Sequence, residues 1–374
     1  KGGGNYFCSF SNQAGFSIIF RCNSQLKVTF LYFFYSLSRF FITKIIYLYQ
    51  FFFIKRKDLE TAVVIGDKSL EKFSILGPLI YDFPIPEGNQ VEIFDLKFPS
   101  PLIGASFKSE KAIMSMWMRM GLGGTIYKTI MSKKRYGNPV PRLQDAIYDG
   151  RKGILNALGL PGPGIDKFSK EILSSELWKF NRPIGVSIGG DTQDEYIANI
   201  QKIEMVIHNK REQYFYELNI SCPNTKNGST ICQHPEQLKS LLEEVRKNIN
   251  KVISIKVSPD VPNKTLFEIG ETVSVFDKII INAGNTKFVS PMQAGVEESN
   301  FSMKGGGLSG TPIFKRTLEM ADLFSNFKNP IMATGGISSI HHVNAVKNVG
   351  ASLFGMATGL VLNPYCIPKI NSSL

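Results

Sequence analysis

The segment 216–228, YELNISCPNTKNG, places a thiol among amide side chains directly after an apolar run. Asn219 precedes Cys222 and Asn224 follows it, with Pro223 between them. Because proline disfavours helical geometry in the residue before it, Pro223 holds Cys222 in an extended loop. A free thiol titrates near about pH 8.5, close enough to neutral pH to remove a proton from carbon when correctly oriented. The pattern predicts that Cys222 is a general base, and a structural cysteine is the plainer alternative.

Other polar residues also follow apolar runs. Lys128 and Lys256 lie on or beside such runs, where an unpaired ammonium group is costly. We interpret them as cations placed against a ligand that gains negative charge, such as a reduced flavin ring, and a structural ion pair is the alternative. Amides at strand or loop ends can together donate to and accept from a planar polar heterocycle. These amides are Asn156, Asn219, Asn224 and Asn282.

Glycine-rich turns lie near the C-terminal end of the sequence. TGGI contains Gly335 and Gly336, KGGGLSG spans 304–310, and Ala357 with Thr358 ends the last apolar run. Glycines let backbone N–H groups approach an anion, and a following helix N-terminus favours negative charge. Together these turns predict a site for a phosphorylated ligand.

The elements that position these residues alternate between two patterns. Nearly continuous apolar runs are typical of parallel strands buried on both faces. The predicted strands are 102–106, 125–130, 184–188, 215–220, 253–257, 278–282, 331–334 and 352–356. The predicted helices between them are 108–121, 165–179, 193–209, 235–249, 263–275, 312–326 and 338–348. The alternation predicts an α/β fold, a (β/α)₈ TIM barrel, with a doubly wound sheet as the less favoured alternative.

A small hairpin is expected before this barrel, because QVEIFDLKFPSP alternates apolar and polar residues and ends in turn formers. The polar and glycine residues follow the predicted strands and do not precede them. Barrel enzymes place their active sites on this C-terminal face. The sequence therefore predicts one site that combines the thiol, the amides, the lysines and the glycine turns.

The positive charge is concentrated at the N-terminus. The chain has 374 residues and a formal net charge of +12. Residues 1–57 hold eight Lys or Arg and no acidic residue, so the rest has 35 basic and 31 acidic groups. That near balance argues against a nucleic-acid partner. Five cysteines without a CxxC pair or Cys/His cluster predict no metal site and a reducing, cytoplasmic location.

Residues 29–54 form an apolar segment long enough to span a bilayer, followed by Lys55, Arg56 and Lys57. We considered a non-functional extension, a membrane anchor, and an amphipathic or targeting segment; membrane association follows only from the second. The predicted domains are an apolar, basic extension over 1–60 and a cofactor-binding barrel over 61–374. The last barrel helix is expected to be cut short.

The motifs over about 91–365 resemble those of the dihydroorotate dehydrogenase family, in the family's order. They are YKTIMSKKRYGNPVPR, NALGLPGPG, ELNISCPN, IKVSPD, INAGN, GGGLSG and ATGGI. The resemblance implies an FMN enzyme of pyrimidine (UMP) biosynthesis that oxidises dihydroorotate to orotate. Hydride passes from C6 of the substrate to N5 of FMN while a base removes the C5 proton. Cysteine at position 222 resembles class one of the family, whereas class two uses serine.

The resemblance also implies roles for individual residues. It implies that the substrate is bound by Asn156, Leu158, Gly159, Asn219, Asn224 and Asn282. It implies that FMN is bound by Ala105, Ser106, Lys128, Thr129, Asn219, Lys256, Gly306, Gly307, Gly335, Gly336, Ala357 and Thr358. The chain departs from the family pattern at Phe107, where class-one members usually have glycine beside the flavin, and at Ala357, which replaces a phosphate-loop glycine.

Three alternative functions were weighed against this one. A tRNA dihydrouridine synthase resembles N-x-G-C-P and needs a basic RNA-binding region, which the barrel segment lacks. A dihydropyrimidine dehydrogenase-like enzyme needs cysteines for iron–sulfur clusters, and a membrane-tethered barrel without activity would bind no flavin. The electron acceptor stays open between fumarate, NAD through a partner subunit, and quinone. Class-one relatives suggest a homodimer.

Overall fold

Parallel strands close into a barrel at the centre of the molecule. The computed structural model describes residues 13–220, 231 and 233–374. A short antiparallel hairpin, β1 (Val91–Ile93) and β2 (Leu96–Phe98), precedes the barrel, as predicted. The barrel strands are β3 (Leu102–Lys108), β4 (Gly124–Ile130), β7 (Ile184–Ile188), β8 (Tyr214–Asn219), β9 (Ile253–Val257), β10 (Ile279–Ala283), β13 (Ile331–Thr334) and β14 (Ala351–Met356). The prediction of a TIM barrel is confirmed, and the doubly wound alternative is wrong because the sheet closes.

The strands form where the sequence is almost continuously apolar. Every residue of β7, β9 and β10 is buried, as expected for strands covered on both faces. The hairpin residues Ile93, Leu96 and Phe98 pack with Ile103 and Ile280, which lie in the first residues of their strands. The hairpin therefore covers the N-terminal end of the barrel and leaves the C-terminal end for a site.

The register aligns three of the predicted site residues. In the parallel ladders Asn219 of β8 pairs with Lys256 of β9, and Lys256 pairs with Asn282 of β10. Because paired residues of parallel strands lie at the same height, these three residues form one layer near the C-terminal end of the barrel.

Helices cover the barrel at the places that the sequence pattern predicts. They are α4 (Lys111–Arg119), α5 (Ile165–Ile172), α6 (Gln193–Ile207), α7 (Pro235–Asn248), α8 (Asn263–Ser274), α9 (Phe314–Phe324) and α10 (Ile340–Asn348). The predicted helix 165–179 is too long: α5 ends at Ile172. The Ser175 hydroxyl then accepts a hydrogen bond from the Leu177 N–H and starts a separate 3₁₀ turn, Glu176–Phe180. A side-chain cap inside the apolar pattern therefore divides one predicted helix in two.

A second sheet lies beside the barrel and was not predicted. It is antiparallel, in the order β11 (Lys287–Val289), β12 (Gly306–Gly310), β6 (Arg151–Asn156) and β5 (Leu143–Tyr148). The interpretation of 304–310 and of the start of NALGLPGPG, at Asn156, as loops is therefore wrong. Gly307 of β12 pairs with Asn156 of β6. The pairing joins segments about 150 residues apart, and β12 reads GGLSG, which has no strand propensity of its own.

The N-terminal segment is helical and contacts the second sheet and the C-terminal helix. It contains α1 (Gln13–Tyr49), a π-helical turn (Gln50–Ile54), α2 (Leu59–Lys72) and α3 (Gly77–Ile80). The Tyr47 hydroxyl donates to Asp145 Oδ2 at 2.6 Å, and Arg142 forms two hydrogen bonds with the Glu60 carboxylate at 2.8 and 3.0 Å. Two short helices, α11 (Thr358–Leu362) and α12 (Cys366–Asn371), follow β14, and α12 packs on α1.

Much of α1 remains exposed on the side away from the barrel. Phe30 is 67% exposed and Phe33 is 68% exposed, although both are large and apolar. Within the described residues, one helical stretch, Gln25–Ile54, is long and apolar enough to cross a membrane by length and composition. The predicted domain boundary at residue 60 lies inside α2 and stays a prediction.

Candidate active site

A cavity of about 620 Å³ opens at the C-terminal end of the barrel. Its volume lies within the range of small-molecule and cofactor sites, roughly 300–1,000 Å³. The predicted residues that line it are Ala105, Ser106, Lys128, Thr129, Asn156, Leu158, Gly159, Asn219, Lys256, Gly306, Gly307, Gly335, Gly336, Ala357 and Thr358. Asn282 is not part of the lining and lies fully buried beside Lys256. Cys222 and Asn224 lie outside the described residues.

One end of the cavity is a cradle of backbone formed by Gly310, Gly335 and Gly336. Gly336 has φ +75°, a left-handed conformation, and a Cβ there would lie 2.7 Å from the Phe314 Cβ. Glycine therefore permits both this backbone conformation and the close packing of the turn against Phe314 and Gly310, which a side chain would prevent. The cradle leads into α10, whose first turn the Ser339 side chain caps. This arrangement fits a phosphate group.

Ala357 stands where the family resemblance implies a glycine of the phosphate loop. Its backbone has φ −132° and ψ −77°, so it does not adopt the left-handed φ that would require glycine. The neighbouring Thr358 hydroxyl donates to Ser309 Oγ at 2.8 Å and joins α11 to the glycine-rich β12.

Two lysines bring positive charge to the cavity. Burial lowers the pKa of Lys128 to about 8, an effect that the nearby Glu110 carboxylate opposes. Lys256 is 7% exposed; its Nζ donates to Ser106 Oγ at 3.0 Å and lies 3.9 Å from Glu217 Oε1. Lys256 therefore has the ion pair that was the plainer interpretation, and it also lines the cavity.

Hydrogen bonds orient the amides before any ligand binds. Asn219 Nδ2 donates to Thr129 Oγ1 at 2.8 Å, and Asn156 Nδ2 donates to the Gly307 carbonyl at 3.0 Å. The second of these bonds crosses from β6 to β12, so the unpredicted sheet positions a predicted substrate residue. Fixed amides of this kind favour one ligand pose and reduce the entropy lost on binding.

Glu217 is a buried polar residue that the sequence interpretation missed. It lies in β8 two residues before Asn219, so both side chains point to the same face of the strand. An acidic residue within a buried apolar strand was the signal that could have identified it, because a buried carboxylate requires partners.

Lys128 should become reactive toward amine-acylating reagents at an unusually low pH in the apoprotein. Because its pKa is about 8, the charge is present below that pH and is lost as the pH rises through it. An ordinary lysine, with a pKa near about 10.4, is still almost fully charged at pH 8. Peptide mass spectrometry should show that labelling of Lys128 rises between pH 7 and 9. In Glu110→Gln the labelling should rise at a lower pH, and FMN should block it. A rise in labelling only near pH 10 would contradict the lowered pKa of Lys128.

The fold and the site define a (β/α)₈-barrel enzyme whose active site lies at the C-terminal face of the barrel. The sequence model for "Dihydroorotate dehydrogenase" matches residues 89–374. The chain belongs to the dihydroorotate dehydrogenase family. The family oxidises dihydroorotate in pyrimidine biosynthesis, and its members generally depend on a flavin, so the recognition made from the motifs is confirmed.

Curated relatives agree with this assignment, and a solved structure shares the fold. The chain is 31% identical over 292 residues to the "Dihydroorotate dehydrogenase B (NAD(+)), catalytic subunit" of Malacoplasma penetrans, which covers 75% of this chain and 89% of that one. The protein of the same name from Bacillus cereus (strain B4264) is 30% identical over 292 residues, covering 76% and 90%. The ligand-free DHODH of Eimeria tenella shares the fold, with a TM-score of 0.68 at 21% identity and coverage of 82% and 92%.

Proposed function

We propose that this chain oxidises dihydroorotate to orotate with FMN in the 620 Å³ cavity and with Cys222 as the general base. The observation that carries the proposal is that the glycine cradle, both lysines and the amides of Asn156 and Asn219 line one cavity. In this arrangement the glycine cradle would hold the FMN phosphate, and the amides of Asn156 and Asn219 would hold the substrate.

The chain's own residues supply binding, charge and proton transfer. FMN, when bound, supplies a two-electron acceptor for hydride. Lys128 and Lys256 place positive charge where negative charge develops, which is the most effective form of electrostatic stabilisation in a site that excludes water. Asn156, with its Nδ2 bonded to Gly307, presents Oδ1 as an acceptor for a ring N–H. Cys222 takes the proton from C5 of the substrate.

We propose NAD, reached through a partner subunit, as the electron acceptor in the cytoplasm. The support is the name shared by the relatives, each a catalytic subunit of a B (NAD(+)) enzyme. A homodimer of the chain is the proposed core of that assembly, as the class-one resemblance implies.

A membrane quinone is a second candidate acceptor, favoured by a specific observation. A cavity of about 500 Å³ lies between α1, α2 and the barrel, with mostly apolar walls that include Phe34, Leu70 and Trp117. Phe107 lines the first cavity and stacks on Trp117 at 5.4 Å between ring centroids, so one aromatic pair separates the two cavities. The second cavity and the exposed apolar face of α1 together would place the enzyme at a membrane.

Orotate production by the full-length chain in mild detergent tests the function and the acceptor together. With FMN and an artificial dye acceptor we expect oxidation of dihydroorotate and none of dihydrouracil, since the latter lacks the carboxylate. NAD alone should not support turnover without the partner subunit, and fumarate should not either. Turnover of dihydrouracil in place of dihydroorotate would contradict the function.

The same assay with a soluble quinone separates the two acceptors. Ala62→Trp fills the second cavity, whereas Val64→Trp lies on the same helix outside its lining and serves as the matched control. If quinone supports turnover and only Ala62→Trp abolishes it, the electron acceptor is a quinone and not NAD. Equal rates in both variants would leave the second cavity without a role in electron transfer.

A further inference from the structure

The interior of the barrel contains a carboxylate that lines neither of the two cavities described above. Glu217 of β8 is fully buried, and it does not line the 620 Å³ cavity. Its Oε1 accepts from Ser106 Oγ at 2.5 Å and lies 3.9 Å from Lys256 Nζ. Its Oε2 accepts from Asn282 Nδ2 at 2.7 Å. One side chain thus connects residues of β3, β9 and β10.

Stability alone does not explain an acidic residue at this position. Barrel interiors are usually filled by branched apolar side chains. Burying an ion costs several kcal/mol before its partners compensate, and apolar replacement of a buried ion pair is often neutral or stabilising. The partners of Glu217 are instead residues of the proposed flavin and substrate sites, which points to a role in arranging them.

The bond from Asn282 fixes the rotamer of that amide. One Nδ2–H donates to Glu217, and Oδ1 accepts no hydrogen bond from any described residue although it is buried. Asn282 does not line the 620 Å³ cavity, but it pairs in register with Lys256, which does. Glu217 therefore holds in place the layer of side chains directly behind the cavity wall.

We propose that Glu217 is a positioning residue for dihydroorotate oxidation, which balances the charge of Lys256 at the flavin site and holds Ser106 and Asn282 in place around it. The inference rests on the proposed function. Glu217 acts through Asn282, Ser106 and Lys256, and does not touch the substrate.

Glu217→Gln tests this role because it keeps the size of the side chain and removes its charge. Its amide oxygen can still accept from Asn282 Nδ2 while its N–H donates to Ser106 Oγ, so the hydrogen bonds are preserved and only the charge is lost. With Lys256 unbalanced, the flavin equilibrium should shift about tenfold toward the reduced form, a midpoint potential higher by about 30 mV.

Glu204→Gln is the matched control. Glu204 of α6 is a largely buried glutamate that accepts hydrogen bonds from the hydroxyls of Tyr214 and Tyr216, outside the cavity lining. Its replacement should change thermal stability and leave the flavin potential as in the wild type. Glu217→Asp keeps the charge but is shorter by one methylene, so it should keep the wild-type potential.

The outcomes separate this inference from the proposed function. If the wild type binds no FMN, or dihydroorotate does not reduce it, the proposed function fails. If the wild type is reduced but Glu217→Gln has an unchanged flavin potential, only the role of Glu217 is overturned. Should Glu217→Gln not fold, Glu217→Asp carries the test, and a potential in that variant about 30 mV or more above that of the wild type would overturn the proposal, because the charge is kept.

Discussion

Replacing Cys222 by alanine should lower the turnover of dihydroorotate by about 10²-fold or more while FMN binding is retained. Proton transfer by a positioned base contributes roughly 10²–10⁴-fold, and alanine has no group that can accept the C5 proton. Anaerobic stopped-flow reduction of the bound flavin measures this step directly. Near-normal turnover in Cys222→Ala would exclude the thiol as the base.

Two further variants control for this result. Cys222→Ser should retain partial activity at most, because a hydroxyl needs more assistance than a thiol to act as a base. Cys366 lies in α12 at 3% exposure, and burial raises its pKa to about 12, so its thiol stays protonated at neutral pH. Cys366→Ala should therefore keep the wild-type turnover per folded molecule, whatever it does to stability.

Replacing Gly284 by alanine should lower the free energy of unfolding by roughly 3–5 kcal/mol, from steric overlap and backbone strain together. Gly284 follows β10 with φ +144°, and a Cβ there would lie 1.6 Å from the Thr334 carbonyl oxygen at the end of β13. Relief of that overlap requires β10 and β13 to separate at the C-terminal end of the barrel. Urea unfolding of the apoprotein measures the loss.

Gly66→Ala is the matched control for that substitution. Gly66 lies inside α2, and a Cβ there meets no atom within 4 Å. Alanine should stabilise the helix by about 0.5–1 kcal/mol relative to glycine. If Gly284→Ala and Gly66→Ala both unfold at the same urea concentration as the wild type, then β10 and β13 do not approach each other closely at Gly284.

The barrel could be predicted because each of its strands can be recognised from its own residues. Runs such as 184–188 are apolar on both faces, and only a sheet covered by helices buries such runs. The polar residues that follow these runs were predicted to form one site for the same reason, since the ends of parallel strands meet at one edge. Asn219 and Lys256 occupy one layer by register, as that argument requires.

The antiparallel sheet could not be predicted, because its strands are specified by distant partners. β12 consists of glycine, leucine and serine, and it is a strand only because Asn156 and its neighbours pair with it. Glu217 was missed for a related reason. Its three partners come from β3, β9 and β10, so its role exists only in the closed barrel.

The central claim is that this chain transfers electrons from dihydroorotate to a bound FMN. The direct test is anaerobic: the full-length chain in mild detergent receives FMN, is freed of excess cofactor, and its visible spectrum is recorded before and after dihydroorotate is added. We predict a bound yellow flavin whose absorbance bleaches on addition of substrate. A bound flavin that stays oxidised, or a chain that retains no flavin, would contradict the claim.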